Sequence, residues 1–367
     1  MKDDRITRRG FLGKGALAAG GLLGAQALAQ GKAVEKAESE QKAGGAENAP
    51  PRWTILNYSE RMAYRRLGKT GLWVSAVSLG GHWKRCPFEG ADFEKNRTEV
   101  MARCLDGGFN YVDACWKGEV LAYAKALKNL GKRQKVYLGF DAFGSRGQEF
   151  RERKALLRSL DETMREAELD YVDVWRITCH EPGGLHTFNE SCEFAEAGER
   201  AVKDGKVRAF GISTHDRRWA EFMIREFPIV SVVVTPYTPG TCERPESSFF
   251  AAVRKHDVGI FGIKPFASNA LFKGSSQPGD PFEVEDNEAA RLALRKVLMN
   301  DAIASPIPGL IFPGHVENCL QAIEERRKYD LVAKPAILED RRLHRAVCGM
   351  WERLPSEYEW LRKWECV

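Results

Sequence analysis

The feature that most constrains this sequence is a repeat: short apolar runs, each ending in small or polar side chains and followed by a helix-like stretch. The clearest copy is Gly205–His215, where Val207, Ala209, Phe210 and Ile212 read as a buried strand. Ser213 and Thr214 stand where that strand gives way to a loop, and a helix-like segment, Cys192–Val202, precedes it. Parallel strands covered on both faces are apolar almost throughout. A chain that repeats strand, polar tip and helix is expected to close into a parallel barrel with its chemistry on one rim.

In order, the expected strands are Leu72–Leu79 running on to Gly80-Gly81-His82, Phe109–Ala114, Val136–Phe140 ending at Asp141, and Tyr171–Ile177. The Gly205–His215 strand comes next, then Val230–Val234, Gly259–Ile263 ending at Lys264-Pro265-Phe266, and Ala302–Ile307. Apolar residues at helical spacing place helices over Val100, Met101, Cys104 and Leu105 up to a stop at Gly107-Gly108, near Val120–Leu130, around Leu156–Met164, at Arg217–Phe227, Phe249–Lys255 and Ala289–Met299, and from His315 to Arg326. Met62–Gly68, joined to Leu72 by Lys69-Thr70-Gly71, reads as a hairpin ahead of the barrel. Eight alternations within about 260 residues match the size of an α/β (β/α)8 TIM barrel.

The two ends read differently. Thr7-Arg8-Arg9-Gly10-Phe11-Leu12, then a Gly/Ala/Leu run and Ala27-Leu28-Ala29, resembles a twin-arginine signal peptide over residues 1–29. The expected partner is the twin-arginine export machinery and the expected location periplasmic or otherwise extracytoplasmic. The run is too short and too rich in Gly and Ala for stable membrane insertion. Residues 30–52 have few apolar groups and read as a linker. The barrel is expected over 53–330 and a helical segment over 331–367, whose Trp351, Trp360 and Trp364 suit packing. A net charge of +5 with no basic, aromatic-interleaved stripe argues against nucleic acid as a partner. Nine cysteines, none in a Cys-x-x-Cys pair, read as mostly buried thiols rather than a zinc or iron–sulfur site.

Several stretches carry a family resemblance. Tyr64–Ser75 (Tyr-Arg-Arg-Leu-Gly-Lys-Thr-Gly-Leu-Trp-Val-Ser), Gly108-Phe109-Asn110-Tyr111-Val112-Asp113, Leu169-Asp170-Tyr171-Val172-Asp173, Gly205–Ser213, Ile307-Pro308-Gly309 and Glu317-Asn318 are together similar to aldo/keto reductases. The resemblance spans about Tyr64–Glu325. It implies a barrel closed underneath by a hairpin, and hydride transfer between NADP or NAD and the carbonyl or alcohol of a small molecule. Ser213 and Thr214 fall where the family holds the nicotinamide. Pro265, Phe266, Ser268 and Leu271 fall where it passes the pyrophosphate, and Pro308, Gly309, Glu317 and Asn318 near the phosphate and adenine. Leu310 and Ile311 stand where a cation often grips a 2′-phosphate in the family, which weakens the case for NADP over NAD, or for either.

The family's proton relay is a tyrosine, a lysine, an aspartate and a histidine. Asp113 matches the aspartate, but Ala114–Glu119 offers no tyrosine, Asp141 ends the lysine's strand, and Thr178 ends the histidine's, with His180 two residues on. A phenol titrates near ~10 and needs a neighbouring cation to act as an acid at neutral pH. Aspartate in place of lysine reverses that help, so the relay is expected to be absent and the proton donor to have moved to His180, His82 or Lys264. His82, Asp113, Cys115, Asp141, His180, His215 and Lys264 are expected on one rim, with Trp116 as a substrate wall. Two other readings remain open: a barrel without catalysis that binds a sugar or polyol, and a metal-dependent hydrolase or isomerase using the rim histidines and aspartates.

Overall fold

The computed structural model describes residues 50–83, 85–143, 151–179, 186–241 and 248–338. His180, the three C-terminal tryptophans and the twin-arginine segment lie outside the described residues. The barrel lies within the unit that begins at Ile55.

The barrel unit opens with an antiparallel hairpin, β1 (Tyr64–Arg66) against β2 (Trp73–Ser75), paired Tyr64 to Ser75 and Arg66 to Trp73. Seven parallel strands come after it in sequential order: β3 (Tyr111–Ala114), β4 (Tyr137–Phe143), β5 (Val172–Cys179), β6 (Val207–Thr214), β7 (Val230–Pro236), β8 (Gly259–Ile263) and β9 (Ile303–Ile307). Between them run α1 (Gly90–Asp106), α2 (Lys117–Leu130), α3 (Arg153–Glu166), α4 (Phe188–Lys203), α5 (Arg217–Glu226), α6 (Ser248–Lys255) and α7 (Glu283–Val297), and α8 (Pro313–Leu338) follows β9.

The eighth position is filled by Ser78–Gly80, a shorter piece than the strand expected at Leu72–Leu79. Leu79 N donates to Tyr111 O at 3.1 Å and Gly80 N to Pro308 O at 2.9 Å, so this segment joins β3 to β9 and closes the ring. Side chains end the hairpin ladder early. Ser75 N donates to Asn110 Oδ1 at 2.6 Å and Ser75 Oγ to Val77 O at 2.8 Å, turning the chain from floor to wall.

Two apolar layers hold the barrel. Leu67, Val74, Tyr111, Val174, Val232 and Phe261 pack inside it, above the hairpin. A larger cluster, including Trp175, Phe194, Phe210, Leu294 and Val316, fills the space between strands and helices. The helices fall where they are expected, but α1, α4 and α8 are longer than their expected ranges, and α7 begins six residues before Ala289 because its first turn is acidic rather than apolar. Those acids suit a helix N-terminus, and Asp286 accepts from Lys273 N and Gly274 N, both at 2.9 Å, tethering the loop after β8. Among the described residues six cysteines are free thiols, and no helix is long and apolar enough to cross a membrane.

Candidate active site

The C-terminal tips of the strands surround a cleft of about 330 Å³. Asp113, Asp141, His82 and Lys264 line it together. Ser213, Pro265, Phe266, Ser268, Pro308, Gly309 and Asn318 line it as well, as do Cys115 and His215. Four expected residues do not, among them Trp116, whose ring lies against His82 with centroids 4.9 Å apart. Thr214 is buried, its hydroxyl accepting from Asp216 N at 3.0 Å. Leu271 packs with Ala267, Ala289 and Ala293. The Glu317 carboxylate is held by Arg61 at 2.7 Å and Arg103 at 2.8 Å. Thr178, at the tip of β5, is fully buried and its hydroxyl has no hydrogen-bond partner among the described residues.

The floor of the cleft holds a residue that sequence pattern alone did not single out. Arg176, wholly buried on β5, stands opposite Asp141 in the β4–β5 register. Its Nε donates to Asp141 Oδ1 at 2.6 Å, and its Nη1 donates both to Asp113 Oδ1 and to Tyr111 Oη, the latter at 2.9 Å. β4 runs past Asp141 to Phe143, and the aspartate there does not leave the site without a cation, because the next strand supplies one. Burial opposes the guanidinium charge, but Asp113, Asp141 and Tyr111 outweigh it and raise the Arg176 pKa further. Burial pushes Asp113 up, Arg176 pulls it down and Asp141 pushes it up again, to about 6. Burial also drives the Tyr111 phenol well above its ordinary range. Tyr111 stacks on Phe261 with ring centroids 4.1 Å apart, beneath the cleft rather than in it. Gly139 makes room for this group, since a Cβ there would sit 2.0 Å from Tyr111 Oη and 3.0 Å from Arg176 Nη1.

A second buried carboxylate braces the adjoining wall. Glu119, in the first turn of α2, accepts from the backbone N–H of His82 and, at 2.6 Å, from that of Cys115. Its closeness requires Gly81, whose Cβ would lie 2.0 Å from Glu119 Oε2. His82 has φ +60°, lies against Trp116 with ring centroids 4.9 Å apart and planes tilted by 59°, and remains about half exposed at 52 %. Burial raises the Glu119 pKa to about 7, with the two amides pulling the other way. Folding thus loads a proton onto Glu119 between its ordinary 4.5 and about 7, so its contribution to stability declines as pH rises through that window. Glu119→Ala is expected to cost about 2 kcal/mol at neutral pH by orphaning two amides, and to reduce the slope of stability against pH between 5 and 7. Urea melts of both proteins across that range are the check.

Beyond the floor the cleft runs past the loop after β8, where Lys264, Ala267, Ser268 and Asn269 all have left-handed backbone, with φ between +48° and +70°. It continues to the first turn of α8, where Gly314 faces open space and His315 lines the wall. The positive end of a long helix beside a polar cleft suits an anionic group. Arg85, also on the wall, donates to Gly274 O at 3.2 Å and Ser276 Oγ at 3.3 Å, and His315 Nε2 lies 3.0 Å from Ser276 O. Glu283, Asp286 and Asn287 line the same stretch, and the nearby Arg291 is engaged by Glu325 at 2.8 Å. Among the described residues no group of three or more His, Cys, Asp or Glu could hold a metal ion.

The chain is 24 % identical to L-galactose dehydrogenase of Arabidopsis thaliana over 290 residues, which is 72 % of this chain and 89 % of that one. Its fold is similar to that of an aldo-keto reductase from Bacillus halodurans solved in holo form, with TM-score 0.57, 22 % identity, and coverage of 77 % of this chain and 99 % of the other. An aldo/keto reductase from Klebsiella pneumoniae solved with NADP and acetate gives TM-score 0.56 at 18 % identity, covering 73 % and 94 %. The model of the aldo/keto reductase family matches residues 76–305, from the segment that closes the barrel to its last strand. That span takes in the strands whose tips carry the cleft floor, and the chain belongs to the aldo/keto reductase family.

Proposed function

We propose that this protein is an exported oxidoreductase. It moves a hydride between a nicotinamide dinucleotide, NAD in preference to NADP, and the carbonyl or alcohol carbon of a small sugar-like molecule, and a group other than tyrosine handles the proton. The observation that carries the reading is the continuity of the cleft, from the carboxylates Asp113 and Asp141, past Ser213, to the left-handed turn and the α8 N-terminus. The residues present fit such a cofactor. Ser213 offers a hydroxyl beside the charged floor, Pro265 and Phe266 form an apolar wall, and Gly314 leaves the helix end open. Once bound, the dinucleotide supplies or accepts the hydride.

The outer part of the cleft favours NAD. Glu283 and Asp286 line it, Leu310 and Ile311 come after the last strand, and the charge of Arg291 is taken by Glu325. Carboxylates suit a ribose hydroxyl, whereas a 2′-phosphate needs a cation, and Arg85 on this wall is turned to Gly274 O and Ser276 Oγ. The sugar-like substrate is supported by the likeness to L-galactose dehydrogenase. His82 and Lys264 lie on the cleft wall, within the set open to a proton-handling role. Export rests on the arginine pair and the Ala27-Leu28-Ala29 site.

Protein recovered from the producing cell is expected to begin at Gln30 by mass spectrometry. It is expected to bind NAD saturably, about tenfold more tightly than NADP, in a fluorescence titration. Failure of both dinucleotides to bind up to ~1 mM would end the oxidoreductase reading. A mature protein that keeps its first residues would end the export reading.

A further inference from the structure

A nicotinamide cleft can run its chemistry in either direction, and the charged floor bears on which one. One guanidinium stands between two carboxylates, so the group carries a net negative charge when both acids are ionised. Arg176 takes Oδ1 of each carboxylate. Oδ2 of each accepts no hydrogen bond among the described residues, and both aspartates line the cleft. The groups facing Asp113 are Tyr111 on its own strand, Asp141 from β4, Arg176 from β5, and Cys115 and Glu119 from the turn into α2. His82 and Lys264 line the same cleft. Burial keeps Tyr111 and Cys115 neutral, so neither phenol nor thiol adds charge.

We propose that the site is built to oxidise an alcohol, with Asp113 as the catalytic proton acceptor and Arg176 and Asp141 as positioning residues. This rests on the dinucleotide reading of the cleft. In the step, the C–H bond of the alcohol carbon breaks and its electron pair leaves as hydride to the oxidised nicotinamide dinucleotide. The hydroxyl proton passes to Asp113 Oδ2, and the O–H electron pair becomes the second bond of the carbonyl. The products are a carbonyl compound, reduced dinucleotide and protonated Asp113, which returns its proton to solvent.

Two physical effects favour oxidation over reduction. A carboxyl titrating near 6 is mostly ionised at neutral pH, an acceptor and not a donor. A buried negative floor also binds the cationic oxidised ring in preference to the neutral reduced one, because charges in a desolvated site are weakly screened, and so loads the cleft with the form that accepts hydride.

The test needs no substrate. Dissociation constants of the full chain for oxidised and reduced NAD are measured by titration calorimetry from pH 5 to 8. The preference for the oxidised form is expected to rise about tenfold across this range as the floor gains its charge, with a midpoint near 6. Asp113→Asn is expected to flatten the profile. Asp141→Asn is expected to move the midpoint to lower pH, because the repulsion that raises Asp113 is gone; a purely structural role for Asp141 would not shift it. A pH-independent ratio in the wild type, or a wild-type profile in Asp113→Asn, overturns the inference and leaves the dinucleotide reading standing. Failure to bind either form defeats that reading instead.

Discussion

Arg176→Met is expected to destabilise the protein by about 3–5 kcal/mol at pH 8, the cost of leaving a buried charge without its partner. The guanidinium is fully enclosed, and two carboxylates with side chains 9 % and 3 % exposed depend on it. Methionine restores the volume and none of the charge. The sign of the pH dependence comes from which groups are orphaned. Without Arg176 both aspartates gain stability from protonation, so the deficit is largest at pH 8 and shrinks as pH falls towards 5. Paired urea melts at the two pH values give the answer. Equal deficits at both would show that the arginine matters for packing alone, and a second variant, Arg176→Met with Asp113→Asn, is expected to recover part of the loss at pH 8.

Gly139→Ala is expected to cost about 2–3 kcal/mol and to weaken binding at the cleft, although the substitution adds one methyl group to a strand that otherwise welcomes side chains. The new Cβ would lie 2.0 Å from Tyr111 Oη and 3.0 Å from Arg176 Nη1. Tyr111 cannot swing aside cheaply, because its ring is stacked on Phe261 and fully buried. The displacement is passed to Arg176 and through it to both aspartates. Combining Gly139→Ala with Tyr111→Phe removes the nearest atom, and the pair is expected to be less destabilised than the sum of the single changes. Strict additivity in thermal melts would mean that the methyl group is accommodated elsewhere.

Much of the barrel was legible because its strands are apolar throughout and their tips change chemistry abruptly. Gly259–Ile263 is found at its expected bounds, and Val230–Val234 is only extended, to Pro236. The first wall segment is shorter than its apolar pattern, since Leu72–Leu79 reads as one strand while the Asn110 and Ser75 side chains break its ladder. The start of α7 was misplaced because an acidic first turn lacks apolar periodicity. Of the site, Asp113, Asp141, His82 and Lys264 could be gathered onto one rim by strand position alone. Leu271, Thr214 and Glu317 could not be excluded in that way, since the direction of a loop side chain is not a property of its place in the chain.

Arg176 is the instructive omission. A lone cation inside Val172–Cys179, where every other interior side chain but Asp173 and the threonine is uncharged and apolar, was a signal available in the sequence. Its meaning was not, because it depends on a partner strand. Composition and periodicity, which are local, determined the parallel barrel, the hairpin and the set of residues at the strand tips. The tertiary structure decided which cation meets Asp113 and Asp141, because strand register places Arg176 opposite Asp141, and only burial makes that pairing consequential. The charge of the floor, and with it the direction of the proposed chemistry, comes from contacts between residues 35 and 63 positions apart in the chain.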